Sequence, residues 1–131
     1  MAAILLIEDD EAQRFFAGFA LKKAGHAVHE AADGHAGVAA ARELHPDLIV
    51  CDVLMPGMNG DEVLARLRAD PGLASVPVIL LTALSDLEKL RQGMAAGADD
   101  VLTKPYRPAE LCAAIDALLA RRQPPVPPTA P

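Results

Sequence analysis

Tryptophan is absent from this chain of 131 residues, and aromatic residues make up only 3% of it. Large rings therefore cannot dominate the interior, and Leu, Val, Ile and Ala have to fill it. Cationic stripes are missing too. Lys and Arg total 12 against 18 Asp and Glu, a formal net charge of −6. Gripping a phosphate backbone needs clustered cations, so no nucleic-acid binding by this chain itself is expected. No apolar run approaches the ~20 residues of a membrane span, so no membrane contact is expected either. The opening M-A-A-I-L-L-I-E-D-D puts acids directly after a very short apolar run. A secretory signal would start basic and stay apolar for longer, so none is expected, and the expected location is cytoplasmic. Cys51 and Cys112 lack metal-ligand spacing and lie in apolar settings. They read as two buried, reduced thiols.

What is present is alternation. Short apolar runs at Ala3–Ile7, Ala27–Ala31, Leu48–Cys51, Val76–Leu81 and Asp100–Thr103 are separated by segments with helical periodicity. In Glu11–Ala24 the residues Ala12, Phe15, Phe16, Phe19, Ala20 and Lys23 share one stripe. In Pro108–Arg122 the residues Leu111, Ile115, Leu118 and Leu119 do the same. Asp10, with Gln13 three residues on, forms a capping-box pattern, and Gly25 suits the end of that helix. Ser85 or Asp86 suits the start of a fourth helix and Gly97 its end, while Pro108 suits the first turn of the last helix. Strands alternating with helices predict an α/β fold, a parallel sheet covered on both faces, in the doubly wound, flavodoxin-like class. At this length one domain, residues 1–122, is expected. The remainder, Q-P-P-V-P-P-T-A-P, has Pro at five of nine positions. Residues 123–131 therefore read as an extended Pro-rich tail or linker.

In open parallel sheets ligands bind beyond the carboxyl ends of the strands. Glu8, Asp9 and Asp10 follow the first run, Asp52 the third, Thr82 and Ala83 the fourth, and Lys104 with Pro105 the fifth. Carboxylates gathered this way repel one another, and a hard cation relieves them; an all-oxygen set favours Mg2+. A lysine point charge and a hydroxyl donor beside them suit the charge of an incoming phosphoryl group. One of the carboxylates could then act as nucleophile and form an aspartyl phosphate.

From Ala3 to Arg122 the sequence resembles the receiver domains of bacterial two-component response regulators. The resemblance rests on I-L-L-I-E-D-D, on D-V-L-M-P-G-M-N-G from Asp52 to Gly60, on L-L-T-A and on L-T-K-P-Y, in order and approximate spacing. It implies five strands in the order 2-1-3-4-5 with five helices. It also implies that Asp52 takes a phosphoryl group from a histidine kinase or histidine phosphotransfer protein. Asp9 would bind Mg2+ directly and Glu8 through water, with Asp52 and the backbone carbonyl of Leu54 completing the protein ligands. Lys104 would pair with Asp52 and then with phosphoryl oxygens, and Thr82 and the Ala83 N–H would donate to the transferred group. The Lys104–Pro105 peptide is expected to be cis, and Asp10 is expected to remain a helix cap. Signalling would pass to a downstream target protein through the face made by the fourth helix, fifth strand and fifth helix. The start of the first helix, with Gln13, Arg14 and Phe16, would meet the kinase.

The sequence departs from the family pattern at the switch, and it has two large apolar residues near the site. Val101 stands where an aromatic residue is common three places before the lysine, which removes the aromatic half of the usual switch; Tyr106 is expected to be a packing residue. Leu54 and Leu84 would flank the phosphoryl group with apolar side chains, which predicts slow self-dephosphorylation. Other readings fare worse. A haloacid-dehalogenase-type phosphatase needs an acid where Leu54 stands, the glycine fingerprints of nucleotide-binding loops are missing, and Asp33-Gly-His35-Ala-Gly37 falls one residue short of a cobalamin motif. The four histidines are expected at the surface. The rival from another class is a receiver-shaped interaction module that is never phosphorylated. Turnover of a separate substrate, as by an enzyme, is not expected.

Overall fold

The computed structural model describes residues 2–83, 87–95 and 97–122. Among the described residues five strands alternate with five helices: β1 (Ala3–Ile7), α1 (Glu11–Lys23), β2 (Ala27–Ala31), α2 (Gly34–Leu44), β3 (Leu48–Asp52), α3 (Gly60–Ala69), β4 (Val78–Ala83), α4 (Leu87–Ala95), β5 (Asp100–Lys104) and α5 (Pro108–Arg122). All strand pairs are parallel, in the order β2-β1-β3-β4-β5. The sheet order implied by the resemblance is therefore the one observed.

Alternation along the strands divides the core into two layers. Leu5, Ile7, Ile49, Cys51, Val78 and Leu80 point to one face, where Val38 and Ala41 of α2 and Val63, Leu64 and Leu67 of α3 cover them. Ile4, Leu6, Leu48, Val50, Ile79 and Leu81 point to the other, under Ala17 and Leu21 of α1 and Leu111, Ile115 and Leu118 of α5. Every residue of β3 is buried. A Leu or Ile fully buried this way stabilises by about 1.5–3 kcal/mol, so this double burial fixes the central strand and the acid at its end.

The structure corrects several sequence expectations. The aromatic stripe of α1 faces solvent: Phe15, Phe16 and Phe19 are 72%, 55% and 61% exposed, and Phe15 stacks on Phe19 at 6.4 Å between ring centroids. The inward residues are Ala17, Gly18 and Leu21. Small side chains let the helix lie close to the sheet; a Cβ on Gly18 would stand 2.8 Å from the Glu30 carboxylate. β4 begins at Val78 rather than Val76, because the Val76 N–H closes a turn onto Leu73 O (3.1 Å) and Pro77 has no N–H. Cys112 is only half-buried, although Cys51 is fully buried as expected. His26 is half-buried and accepts from Ala2 N through Nδ1 (3.3 Å), while His29, His35 and His45 are exposed. The expected cap of α4 at Ser85 or Asp86 and the tail at 123–131 lie outside the described residues.

The remaining helix boundaries follow local chemistry. Asp10, Asp33 and Asn59 cap α1, α2 and α3 by accepting from Gln13 N, Ala36 N and Glu62 N. Gly25 and Gly97 follow the ends of α1 and α4 in the left-handed region, at φ 97° and 104°, and Pro108 opens α5.

Candidate functional site

Three strand ends and the turn after a fourth meet in one cleft of about 290 Å³. It is lined by Glu8, Asp9, Asp10 and Gln13 from the β1–α1 segment, Asp52 and Leu54 from the end of β3, Thr82 and Ala83 from β4, and Lys104 from β5. Glu8, Asp9, Asp52, Leu54, Thr82, Ala83 and Lys104, expected from sequence to form the site, are all among them. The ladder holds them more firmly than the apolar runs suggested. Asp52 is the last residue of β3, fixed by Val53 N–H donating to Leu81 O (2.9 Å), and Thr82 and Ala83 lie in register with Thr103 and Lys104.

The loop after β3 folds back under the cleft. Met55 and Met58 are buried, and Gly57 takes φ 78°, which side chains resist. Gly60 opens α3 against the strand end: its N–H donates to Val53 O (2.8 Å), and a Cβ there would lie 2.6 Å from Asp52 O. Only glycine permits that approach.

Charge is concentrated here. Glu8 and Asp52 are buried, Asp9 is exposed, and one carboxylate oxygen from each lies within 4.8 Å of the others. Lys104 Nζ stands 3.0 Å from Asp52 Oδ1 and 3.3 Å from Glu8 Oε2. Burial raises the pKa of Glu8, and the nearby Asp52 charge raises it further, against the pull of Lys104. Burial likewise raises that of Asp52, with Lys104 opposing it. For Lys104 burial disfavours the ammonium, but the Asp52 and Glu8 carboxylates outweigh it and its pKa is raised. One ammonium facing three carboxylates leaves the cleft net negative. An all-oxygen donor set at this spacing fits a hard divalent cation.

Two contacts made by residues of the first helix were not anticipated. Arg14 Nη1 donates to the carbonyls of Glu8 (2.8 Å) and Asp9 (3.4 Å), bracing the turn that presents both acids. Gln13 lines the cleft, and its Oε1 accepts from Lys104 Nζ at 2.5 Å. The expected capping box is therefore only half made. Asp10 Oδ1 accepts from Gln13 N (2.9 Å), but Asp10 N donates to Glu8 Oε1 (3.2 Å), not to Gln13. Asp10 thus stays a cap, as expected.

The Thr82 hydroxyl is buried and without a hydrogen-bond partner among the described residues, a placement that costs stability unless a ligand supplies an acceptor. Leu54 is 59% exposed at the rim, and Leu84 lies outside the described residues. The Lys104–Pro105 peptide is cis. Val101 is half-buried against the α2–α3 layer, and Tyr106 packs half-buried against the α1–α5 layer, as a packing residue would.

Comparison with known families decides the assignment: the response regulator receiver domain matches residues 4–116. The chain belongs to that family. This receiver is 44% identical over 121 residues to the DNA-binding dual master transcriptional regulator RpaA of Synechocystis, covering 92% of this chain and 50% of that protein. To the transcriptional regulatory protein AfsQ1 of Streptomyces coelicolor it is 45% identical, covering 92% and 52%. The chain thus spans about half the length of the curated relatives it matches. Among solved structures, the receiver domain of the Francisella response regulator 1452 superposes with a TM-score of 0.87 at 30% identity, covering 94% of this chain and all of that one. The chemotaxis protein CheY4 of Vibrio cholerae gives 0.84 at 33%, covering 89% and 98%. Among the described residues no helix is long and apolar enough to cross a membrane.

Proposed function

We propose that this receiver accepts a phosphoryl group on Asp52 from a histidine kinase or histidine phosphotransfer protein in the cytoplasm. On this reading the modified state changes which target protein the domain binds. The observation that carries the reading is the convergence in one cleft of Asp52, Lys104, Glu8, Asp9 and a Thr82 hydroxyl that has no partner among the described residues.

An oxygen of the Asp52 carboxylate attacks the phosphorus of a phosphohistidine. The P–N bond breaks, and its electron pair stays on the imidazole nitrogen, which takes up a proton. Lys104, already 3.0 Å from Asp52, turns its charge to the phosphoryl oxygens. Thr82 Oγ1 and Ala83 N–H donate to the group once it is in place. Glu8, Asp9, Asp52 and the Leu54 carbonyl would hold Mg2+, which supplies charge neutralisation for the transferred oxygens. The result is a conformational state rather than released product, so the domain assists its own modification and is not a turnover enzyme.

Output through the face of α4, β5 and α5 would start with Thr82 moving toward the phosphoryl group and drawing the chain after β4 with it. With Val101 in β5, no ring rotation accompanies that shift. Incubation with Mg2+ and acetyl phosphate tests the reading. The wild type should gain the mass of one phosphoryl group, stable in acid and labile in base, and Asp52→Ala should not. An unmodified wild type would leave only a receiver-shaped interaction module.

A further inference from the structure

Lys104 carries three ammonium hydrogens, and three acceptors surround them. Asp52 Oδ1 lies at 3.0 Å, Glu8 Oε2 at 3.3 Å and Gln13 Oε1 at 2.5 Å. The shortest contact is to the uncharged partner, which sits on α1, 91 residues away in sequence. Lysine only donates, so the amide oxygen of Gln13 faces it and the NH2 group is turned elsewhere. The backbone of Gln13 is fixed by its N–H bond to Asp10 Oδ1 at the start of α1. Its side chain borders two hollows: the acidic cleft, and an apolar one lined by Ala12, Phe16, Lys104, Pro105 and Tyr106.

We propose that Gln13 is a positioning residue that holds Lys104 in the unmodified receiver and releases it when Asp52 carries a phosphoryl group, so that the surface of α1 beside Phe16 changes with phosphorylation. The inference rests on Asp52 being the phosphoacceptor. Phosphorylation adds anionic oxygens to a cleft where every hydrogen of Lys104 is already committed. One acceptor must then be given up. Hydrogen bonds between two charged groups are roughly twice as strong as neutral ones. The carboxylate and phosphoryl oxygens therefore keep the ammonium, and the neutral amide loses it. Gln13 is also exposed, so water satisfies its freed oxygen at little cost. This route leads to α1, on the opposite face of the sheet from Val101, and needs no aromatic rotamer change.

Beryllofluoride with Mg2+ is a non-covalent probe of the phosphorylated state. Gln13→Met keeps the side-chain length but has no strong acceptor, and Gln13→Ala removes the side chain. Both should bind beryllofluoride more tightly than wild type, by about three- to tenfold, the scale of one partly exposed hydrogen bond to a charged group. Mg2+ affinity without beryllofluoride should change by less than about twofold, because Gln13 lies outside the acid cluster. In the wild type the side-chain amide resonances of Gln13 should move between the Mg2+ and Mg2+–beryllofluoride states. Unchanged or weakened beryllofluoride binding in both variants, or unmoved Gln13 resonances, overturns the proposal and leaves the phosphoacceptor reading intact. A wild type that binds no beryllofluoride overturns both.

Discussion

Adding one methyl group at Gly60 should damage the site from behind, without touching any group that does chemistry. A Cβ there would lie 2.6 Å from Asp52 O, 2.8 Å from Val53 Cα and 3.2 Å from Asp52 C. All three are backbone atoms, so none can rotate away. Reaching ordinary contact distance needs a shift of about 0.8 Å, by α3 or by the strand end. Movement of α3 stretches the Gly60 N–H bond to Val53 O, now 2.8 Å, and disturbs Val63, Leu64 and Leu67. Overpacking of this kind costs about 1–3 kcal/mol, and weakening a buried backbone bond adds about 1 kcal/mol. Better helix propensity returns about 0.5–1 kcal/mol. The net expectation for Gly60→Ala is a loss of about 2–3 kcal/mol, and a fall in Tm of about 8–12 °C for a domain of this size. Thermal and urea unfolding followed by circular dichroism measure it, with beryllofluoride affinity as the second readout, expected to fall more than about tenfold because Asp52 is displaced. Gly72→Ala is the control. Its nearest neighbours are side-chain atoms at 3.5 and 3.6 Å, so it should stay within about 0.5 kcal/mol of wild type. A Gly60→Ala protein as stable and as responsive as the control would refute the coupling between α3 and Asp52.

Other expectations are equally specific. Glu8 and Asp52 have raised carboxyl pKa values, so the folded chain keeps protons there that the unfolded chain releases, and their contribution to stability falls as pH rises above their ordinary values of 4.5 and 3.8. Without Mg2+, Asp52→Asn should therefore gain stability relative to wild type as pH rises through that window; a gap that narrows, read from urea midpoints, contradicts the assignment. Thr82→Val removes a buried hydroxyl without a partner among the described residues and should leave the unmodified protein equal or more stable by about 1 kcal/mol while weakening beryllofluoride binding. A destabilised Thr82→Val would show that the hydroxyl is satisfied in the resting state. Arg68 donates to the carbonyls of Ala74, Val76 and Gly97 and to Asp99, tying the α3–β4 and α4–β5 turns together. Arg68→Ala should cost about 2–3 kcal/mol in urea unfolding with Asp52 phosphorylation intact, whereas a loss below about 0.5 kcal/mol would place those bonds among surface contacts of no consequence.

The clustering at the strand ends was legible because apolar runs end abruptly in acids, a threonine and a lysine, and because parallel sheets collect such ends on one edge. Glu8, Asp9, Asp52, Thr82, Ala83 and Lys104 all lie where that reasoning puts them. The inward face of α1 was not legible. Its sequence carries two stripes, and periodicity favours the aromatic one, whereas close packing on the sheet selects Ala17, Gly18 and Leu21. Gln13 is a natural partner for Asp10 by spacing, and only the folded chain brings Lys104 close enough to take its side chain. The same holds for Arg68, whose acceptors on two separate turns share no motif with it. Gly60 stands in the sequence only as the last residue of the segment that carries the resemblance; its closeness to the Asp52 carbonyl is a property of the loop's return path.

The central claim is that Asp52 itself becomes the acyl phosphate. Treating the protein with Mg2+ and acetyl phosphate, then reducing with borohydride, converts a phosphorylated aspartyl side chain to homoserine, which peptide mass spectrometry can place. The account predicts homoserine at position 52, dependent on Mg2+ and strongly diminished in Lys104→Ala. Conversion at Asp9, at Glu8 or at no residue at all would contradict it.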